Sequence, residues 1–288
     1  ESTVVVGYSN GNVDLIKGKQ TTNIPAIKTS SVSGDKGIYS IHCVDNWAYL
    51  ATGFGIVKLD LSKEEVKDTY VIGDGGTYAR VNDVATDATK IYAALDDGIK
   101  EADLSNSFLS DYSQWTSWTG LPYSKPVSQL HEYNGKLYGC FQGDGFADDS
   151  TYAFDGAVWI LDTNQAGRDV MRIRSDNGKL IIAEHSNVAR LSDVNVEEEL
   201  LYNYGGNAFR SNDAYYDGSI TWIASEFKGL IRAENNWVVS SIQPIGPLYT
   251  ENYSMTNIDG DIWVAGGTLY GNLGSSAYHA FGVYRFKH

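Results

Sequence analysis

Cysteine, proline and methionine are all scarce in this sequence, which has two, five and two of them in 288 residues. With so few cysteines, the chain is not a disulfide framework of the kind that replaces a hydrophobic core in small secreted domains. The few prolines leave long stretches free to pair as β-strands. No apolar run is long enough to span a membrane, and no signal peptide is evident, although a mature secreted chain would look the same.

Basic residues are outnumbered in the composition. The chain has 22 Lys and Arg against 36 Asp and Glu, which gives a formal net charge of −14. A protein with this charge balance repels polyanions at neutral pH. Nucleic acid and anionic membrane surfaces are therefore not expected as partners.

Motifs for catalysis are missing as well. The sequence contains no Gly-x-Ser-x-Gly nucleophile turn, no His-Glu-x-x-His metal motif and no glycine loop that would hold a phosphate group. We therefore expect a protein that is not an enzyme, with no catalytic residues, no cofactor and no metal site.

What the sequence does have is a repeat. Its clearest copy, 47–60, is an apolar strand that ends on a small residue, then a glycine turn and a second strand. The small residue recurs at steps of roughly 41 to 46 residues, the period of a four-stranded propeller blade. Asx-Gly pairs, which favour tight hairpins, precede most copies. The small residues are Gly7, Ala51, Ala94, Cys140, Ala183, Ala224 and Ala265.

The repeat predicts an all-β fold, a β-propeller with seven blades of four antiparallel strands. A β-sandwich is the alternative, but sandwiches lack so regular a period. Because each blade buries its faces only against its neighbours, we expect a single domain over residues 1–288. Strands are missing from the repeat at both ends, which indicates a piece excised from a longer chain. The expected blade cores are 3–16, 38–72, 81–118, 127–162, 170–204, 211–243 and 253–286.

The histidines, the cysteines and the acidic loop can each be explained without a functional site. His42 and His131 occupy the same position of the repeat, and we interpret them as histidines satisfied between packed blades, with a metal pair as the alternative. The acidic loop 144–149 lacks the ligand spacing of an EF-hand, so we interpret it as a solvated insertion rather than a cation site. Cys43 and Cys140 fall in different blades and are interpreted as unpaired, buried thiols.

Several segments resemble a known family. They include VVGYSNGNVDLI (5–16), AYLATGFGIVKLD (48–60), KEEVKDTYVIG (63–73) and VNDVA (81–85). These segments are similar to the N-terminal β-propeller of the PorZ-like proteins of Bacteroidetes, a family related to the two-component-regulator propellers. The match is close over residues 4–122 and looser afterwards.

The resemblance implies an exported protein of the periplasm or cell surface with no chemistry of its own. Some members of the family serve type IX secretion and bind lipopolysaccharide. Similar propellers form the periplasmic, glycan-detecting part of hybrid two-component regulators. The partners implied are therefore a glycan, lipopolysaccharide or an envelope protein.

Two long insertions, 142–156 and 266–281, are predicted between the second and third strands of their blades. In a propeller such loops share one face with the connections between blades, so we expect the binding surface there. Aromatic rings beside amide and guanidinium groups suit a sugar or a peptide, whereas simple packing of the insertions is the alternative. The candidate ligand-binding residues are Tyr78, Arg80, Tyr123, Tyr152, Arg210, Asn212, Tyr253, Tyr270 and Tyr278.

Three functions follow from these observations, in order of preference. The first is a non-catalytic envelope scaffold that binds a ligand or a protein during export or surface assembly. The second is the sensor part of a periplasmic receptor, with a glycan as its signal. The third is a propeller lyase or glycosidase, which would need a paired acid and base around the mouth of the channel.

Overall fold

The computed structural model describes residues 3–122, 124–202, 209–234, 237–242, 252–259, 261–266, 269–270, 275–276 and 283–286. Regular structure in these ranges is almost entirely β-strand. The helix α1 (Ala26–Thr29) is a single turn, and two short 3-10 turns cover Asp74–Gly76 and Tyr112–Gln114. No helix in the described ranges is long and apolar enough to cross a membrane.

Strands form where apolar and β-branched residues end at glycine-containing turns. Trp47–Thr52 and Gly55–Asp60 pair as an antiparallel hairpin, as the repeat predicted. At a second turn, Asn134 has φ of 52° and Gly135 has φ of 73°. Positive φ at both central residues is what a type I′ hairpin turn requires, so the Asx-Gly prediction is confirmed at this turn.

The first three sheets consist of consecutive strands in antiparallel order. The first sheet has three strands and the next two have four. The strands are β1 (Thr3–Gly7), β2 (Val13–Lys17) and β3 (Gln20–Ile24); β4 (Ile38–Val44), β5 (Trp47–Thr52), β6 (Gly55–Asp60) and β7 (Glu65–Tyr70); and β8 (Val81–Thr86), β9 (Lys90–Leu95), β10 (Gly98–Asp103) and β11 (Thr116–Ser117).

The next three sheets each have four strands in the same order. The strands are β12 (Val127–Tyr133), β13 (Lys136–Phe141), β14 (Asp149–Phe154) and β15 (Trp159–Arg168); β16 (Val170–Asp176), β17 (Lys179–Glu184), β18 (Val188–Asp193) and β19 (Val196–Leu201); and β20 (Ser211–Tyr216), β21 (Ile220–Ser225), β22 (Gly229–Glu234) and β23 (Trp237–Ile242).

Hydrophobic clusters join these six sheets in series, and we number the sheets as blades 1 to 6. Each cluster takes buried side chains from two neighbouring blades. Leu15 of blade 1 shares a cluster with Leu50 of blade 2, and Ile181 of blade 5 shares one with Ile223 of blade 6. Three further clusters join blades 2 and 3, 3 and 4, and 4 and 5. The core therefore lies between the blades, as stacking of repeats requires.

The prediction of seven blades is wrong, because the residues that the structure describes form six blades and one further sheet. The last sheet consists of β24 (Asn252–Ile258), β25 (Asp261–Gly266) and β28 (Val283–Phe286), and the short strands β26 (Leu269–Tyr270) and β27 (Ser275–Ser276) form a separate hairpin. Among the described residues, no cluster of buried side chains links this sheet to blade 6 or blade 1.

The side chains of the last sheet explain the difference. Met255, Ile258 and Ile262 are exposed on it, although apolar residues of a blade are normally buried against the neighbouring blade. Its first two strands form the same antiparallel hairpin as in a blade. The exposed side chains of this sheet, however, do not pack against a neighbouring blade within the described residues. Blades 2 to 6 have four strands each, as predicted. Blade 1 has three, like the last sheet.

The predicted insertion 142–156 also needs correction. Residues Asp149–Phe154 are themselves the third strand of blade 4 and pair with β13, while β15 is the outer strand. The segment alternates buried and half-buried side chains, as a strand between two others does. Only the loop 142–148 lies between the second and third strands. Of the second predicted insertion, 266–281, most lies outside the described residues.

The two cysteines are free, as predicted, but they differ in burial. Cys140 is buried and Cys43 is exposed. Burial raises the pKa of the Cys140 thiol, which keeps it in the unreactive neutral form. The interpretation as buried thiols is therefore confirmed for Cys140 and wrong for Cys43.

Candidate functional site

One face of the propeller carries the start of each first strand, and we call it the upper face. Backbone N–H groups just after the second strand donate to carbonyls just before the first strand of the same blade. These pairs are Gly53 to Gly37 (3.3 Å), Gln142 to Pro126 (2.9 Å), His185 to Asp169 (2.8 Å) and Glu226 to Arg210 (2.9 Å). Each bond ties the turn between strands 2 and 3 to the connection between blades, so both belong to this face.

Exposed aromatic side chains come from most of the blades on the upper face. Phe146 and Phe227, on the loops between strands 2 and 3 of blades 4 and 6, expose 75% and 59% of their surface. Aromatic rings are also exposed elsewhere, for example at Trp237, so the feature of this face is that the loops of several blades present them on the same side. The exposed aromatic residues of this face are Tyr8, Tyr39, Tyr78, Phe146, Tyr202 and Phe227.

Two of the predicted residues, Tyr78 and Arg80, line a common cavity of about 360 Å³ on the upper face of blade 3. The edge-to-face contact of Tyr78 with the buried ring of Phe54, at 6.1 Å between centroids, orients its exposed ring. Lys100 also lines the cavity, and its ammonium lies 2.6 Å from Asp74 and donates to the carbonyl of Ile72 at 2.8 Å. The cavity thus combines an aromatic ring with groups of both charges.

Arg80 is held by the neighbouring blade. Its guanidinium lies over the ring of Tyr39, 4.1 Å from the centroid, in a cation–π arrangement. The Tyr39 hydroxyl donates to Asp35, and this hydrogen bond lowers the pKa of the Asp35 carboxyl. Asp35 is therefore ionised at neutral pH and adds a negative charge beside the guanidinium.

Arg210 and Asn212 lie on the upper face of blade 6, away from the cavity at Tyr78. The Arg210 guanidinium is 3.5 Å from the Glu226 carboxylate and 4.9 Å from the centroid of the Phe227 ring. Asn212 is exposed at a β-bulge in β20. Bulges re-aim side chains at the edges of sheets, and this one lies at the start of the first strand of blade 6.

Tyr152 does not lie on an insertion loop. It is in the third strand of blade 4, where its ring packs edge-to-face on Phe141 at 5.5 Å. The position of Tyr152 therefore fits the alternative interpretation, in which the aromatic ring packs within the blade. Tyr123 and Tyr278 fall outside the described residues, and of Tyr253 and Tyr270 the structure describes only the backbone, in β24 and β26.

A central channel is the part of the site that sequence reasoning missed. The first strands of blades 2 to 6 surround a cavity of about 280 Å³. Each of these strands has a register shift at its start, and the residue that follows the shift is Ser40, Asp83, Gln129, Arg172 or Asp213. This equivalence across repeats is the signal that an alignment of the blades on their first strands would have found.

Arginines bridge the channel. A guanidinium nitrogen of Arg172 donates to the Ser40 hydroxyl at 3.1 Å and lies 3.4 Å from the side-chain oxygen of Gln129. Arg174 lies 3.4 Å from Asp213 and donates to Asp176 at 3.1 Å. The Arg172–Ser40 contact joins blades 5 and 2, which are not neighbours in sequence, and the other contacts lie within blade 5 or join it to blades 4 and 6. The channel is therefore polar, and its side chains are held by contacts among several blades.

The other titratable groups of the channel are shifted toward their neutral forms. Burial raises the pKa of Asp83, whose carboxylate accepts from the backbone N–H of Leu130 at 2.9 Å. Burial and the nearby cationic groups lower the pKa of His131 to about 4, and burial lowers that of His42. Both histidines are therefore neutral at physiological pH and act as hydrogen-bonding groups.

Glu184 is a buried carboxyl under the upper face, at the end of β17. Burial raises its pKa to about 8, with Arg168 at 3.7 Å acting in the opposite direction. The Asn187 side-chain amide donates to one carboxyl oxygen. At neutral pH Glu184 is therefore largely protonated, and its O–H can donate a hydrogen bond.

Six blades that pack in series, with a polar channel among blades 2 to 6, define a β-propeller. Residues 1–116 match the family described as "TSS9, PorZ, N-terminal beta-propeller domain". The resemblance to PorZ-like propellers is thus confirmed over this part of the chain. No curated protein matches the chain.

Two solved structures show the same fold. One is PorZ, a surface component of the type IX secretion system of Porphyromonas gingivalis, with 21% identity and a TM-score of 0.71 over 94% of this chain. The other is the extracellular domain of a putative one-component system from B. thetaiotaomicron, with 14% identity and a TM-score of 0.61 over 92% of this chain. The chain spans 35% and 36% of those two chains.

Proposed function

We propose that this propeller is a non-catalytic module of the cell envelope that binds a partner protein through its upper face. The observation that carries the proposal is the set of exposed aromatic side chains that most blades present there, from Tyr8 in blade 1 to Phe227 in blade 6. Aromatic residues are enriched in protein interfaces and are common among their energetic centres.

The distribution of these side chains favours a protein over a small ligand. They lie on loops of separate blades, whereas a small molecule is bound by groups that converge on one pocket. Arg80 and Arg210 lie among them, each stacked on an aromatic ring. Arginine is the charged residue that interfaces favour, and stacking reduces the entropy that its side chain loses on binding.

The comparisons support the compartment in this proposal. One solved relative is a bacterial surface component and the other an extracellular domain. We place the present chain outside the cytoplasm on this basis, with a role in surface assembly or type IX secretion. The whole of residues 1–288 would act as one binding unit.

A glycan or lipopolysaccharide is the second candidate partner, and the cavity at Tyr78 and Arg80 favours it. Its volume of about 360 Å³ suits a small number of sugar rings. The Tyr78 ring can stack on the apolar face of a sugar, and Arg80 and Lys100 can bind hydroxyl or phosphate oxygens. A sensor propeller of a two-component regulator would use the same chemistry.

The test is site-specific photo-crosslinking in the organism that carries the gene. A photo-reactive amino acid replaces Phe227 on the upper face or, as a control, Val196 on an outer strand; both side chains are exposed. We expect a defined protein adduct from position 227 that is absent from position 196. Adding Phe146→Ser should weaken the adduct from position 227 at least about fivefold, since losing an aromatic side chain at an energetic centre of an interface costs about 1 kcal/mol or more.

Two results would contradict the protein-partner proposal. One is equal adducts from positions 227 and 196. The other is no protein adduct together with binding of purified lipopolysaccharide that is lost in Tyr78→Ala, which would favour the second candidate. Circular dichroism spectra and melting temperatures of all variants confirm that each still folds.

A further inference from the structure

A third cavity, of about 780 Å³, lies between blades 3 and 4, and two of its three walls are turns on the side opposite the upper face. Its walls come from the turn between β8 and β9, the turn between β14 and β15, and the segment that follows β11. The turns between strands 1 and 2 and between strands 3 and 4 alternate with the upper-face loops along each blade, so these two walls lie away from the upper face. None of the residues that line this groove lines the cavity at Tyr78. We call it the aromatic groove.

Three half-buried aromatic rings form one wall of the aromatic groove. The ring of Trp118 lies 4.8 Å from that of Phe154 and 5.5 Å from that of Trp159, and Trp159 lies 5.4 Å from Phe154. Below them the buried ring of Tyr92 contacts Trp118 at 5.9 Å. Such a cluster is rigid, so little conformational entropy is lost when a ligand stacks on it.

Trp118 is fixed by hydrogen bonds as well as by packing. Its indole N–H donates to Glu101 at 2.7 Å, and its backbone N–H donates to the carbonyl of Ile99 at 2.8 Å. The side chain of Trp118 is consequently held at the outer edge of blade 3, although only two residues of β11 precede it. A tryptophan held in this way beside an open cavity is preorganised for stacking.

Polar groups line the rest of the aromatic groove. The Lys90 ammonium pairs with one oxygen of Glu101, whose other oxygen accepts from Trp118. One oxygen of Asp87 accepts from the Tyr92 hydroxyl at 2.5 Å, and the other already accepts from the Thr89 hydroxyl and from the backbone N–H groups of Thr89 and Lys90. The two oxygens of Glu101, with one bond each, have further acceptor capacity, and the ammonium has further N–H donors. The groove thus offers both acceptors and donors next to apolar rings.

We propose that the aromatic groove binds a neutral oligosaccharide. Pyranose rings present apolar C–H faces to aromatic side chains and hydroxyl groups to carboxylates and ammonium groups, and the groove offers both kinds of partner. The volume lies within the range of sites for ligands of a few sugar units. With Asp87, Glu101 and Lys90 as its charged groups, the groove has a net negative charge, which disfavours phosphorylated or acidic sugars.

Packing alone does not explain the groove. The buried cluster between blades 3 and 4 includes Ala94, Leu130 and Phe141, whereas Trp118, Phe154 and Trp159 are only partly buried at its outer side. Val158 on the rim exposes 57% of its surface. A purely structural contact would close these rings against one another and leave no cavity of this size beside them.

The test uses the whole chain and a panel of neutral trisaccharides, namely maltotriose, cellotriose, mannotriose and chitotriose. Tryptophan fluorescence and calorimetry measure binding, with trigalacturonate as the acidic comparison. Val158→Arg places a long side chain across the rim of the aromatic groove. Val196→Arg, at an exposed valine of blade 5 outside the groove, is the matched control. Thr119→Arg, on an exposed residue of the other wall, is a second obstruction.

We expect at least one neutral trisaccharide to bind with a Kd of about 1 mM or lower and to change the fluorescence. Val158→Arg and Thr119→Arg should each weaken binding at least about tenfold, and Val196→Arg should leave it unchanged. Absence of binding by every neutral trisaccharide, binding that Val158→Arg does not weaken, or preference for trigalacturonate would overturn the proposal. This outcome is independent of the upper-face crosslinking result.

Discussion

The Nε2 atom of His131 lies 2.8 Å from the hydroxyl oxygen of Ser175 in the next blade. His42 and Thr86 form the same contact, at 2.8 Å and with the same separation of 44 residues along the chain. The repeat therefore reproduces one side-chain hydrogen bond between two pairs of neighbouring blades. This agrees with the interpretation of both residues as satisfied histidines.

Replacing His131 should change the pH dependence of the unfolding free energy. The folded-state pKa of His131 is depressed to about 4, below the ordinary value of 6.5, so the unfolded chain takes up a proton first as the pH falls. The stability that neutral His131 contributes is present above pH 6.5 and is lost between about pH 6.5 and 4. We expect His131→Gln to lose less stability than the wild type between pH 7 and pH 4.5.

Urea unfolding at the two pH values measures this difference. His42 remains in both proteins, so the difference between them reports the removal of His131 and of its interaction with His42. An equal loss of unfolding free energy in the wild type and in His131→Gln would show that His131 titrates normally in the folded state.

Glu184 should produce the opposite pH dependence. Its folded-state pKa is raised to about 8 from an ordinary value of 4.5, so the folded chain keeps a proton that the unfolded chain has released. The stability this provides is complete below pH 4.5 and is lost as the pH rises to about 8. Each unit of pKa elevation corresponds to about 1.4 kcal/mol.

The experiment compares the wild type with Glu184→Gln, which keeps the shape of the protonated side chain. We expect the unfolding free energy of the wild type to fall by about 1 kcal/mol or more relative to the variant between pH 5 and pH 8. Parallel curves for the two proteins over this range would mean that Glu184 is ionised in the folded state.

The local structure of each blade was predictable from the sequence. Hydrophobic strands separated by Asx-Gly and glycine turns predicted hairpins such as Trp47–Thr52 with Gly55–Asp60, because turn geometry and strand pairing depend on neighbouring residues. The third strand of blade 4 was missed because 149–154 consists mainly of small and polar residues. Its position is determined by pairing with β13, which lies across a seven-residue loop rather than a tight turn.

The candidate site was less predictable than the blades. Tyr78 and Arg80 were selected from their place in a connection, and the structure puts them in one cavity. Arg172 and Asp213 look like ordinary polar positions of an alternating strand, and only the closure of blades 2 to 6 brings them into one channel. The aromatic groove combines Trp118 with Phe154, which belong to different blades and share no local motif.

Gly55 should tolerate no side chain. Its φ is 143°, and a Cβ atom added there would lie 2.1 Å from the carbonyl oxygen of Tyr70. We expect Gly55→Ala to destabilise the protein by about 2 kcal/mol or more, because strain and steric overlap act together. Gly145, where an added Cβ meets no atom within 4 Å, is the control, and Gly145→Ala should change the unfolding free energy by about 0.5 kcal/mol or less. Equal effects in urea unfolding would contradict the close approach at Gly55.

The six-blade packing predicts a contrast between two isoleucines. Ile223 of blade 6 is fully buried between blades 5 and 6, whereas Ile258 of the last sheet is 52% exposed. Ile223→Ala should cost about 2 to 5 kcal/mol because it leaves a cavity in a packed core. Ile258→Ala should cost about 1 kcal/mol or less, since little apolar surface returns to water. Urea unfolding of both variants measures the difference. A cost at Ile258 as large as that at Ile223 would mean that the last sheet packs as a further blade in solution, and the count of six would then be too low.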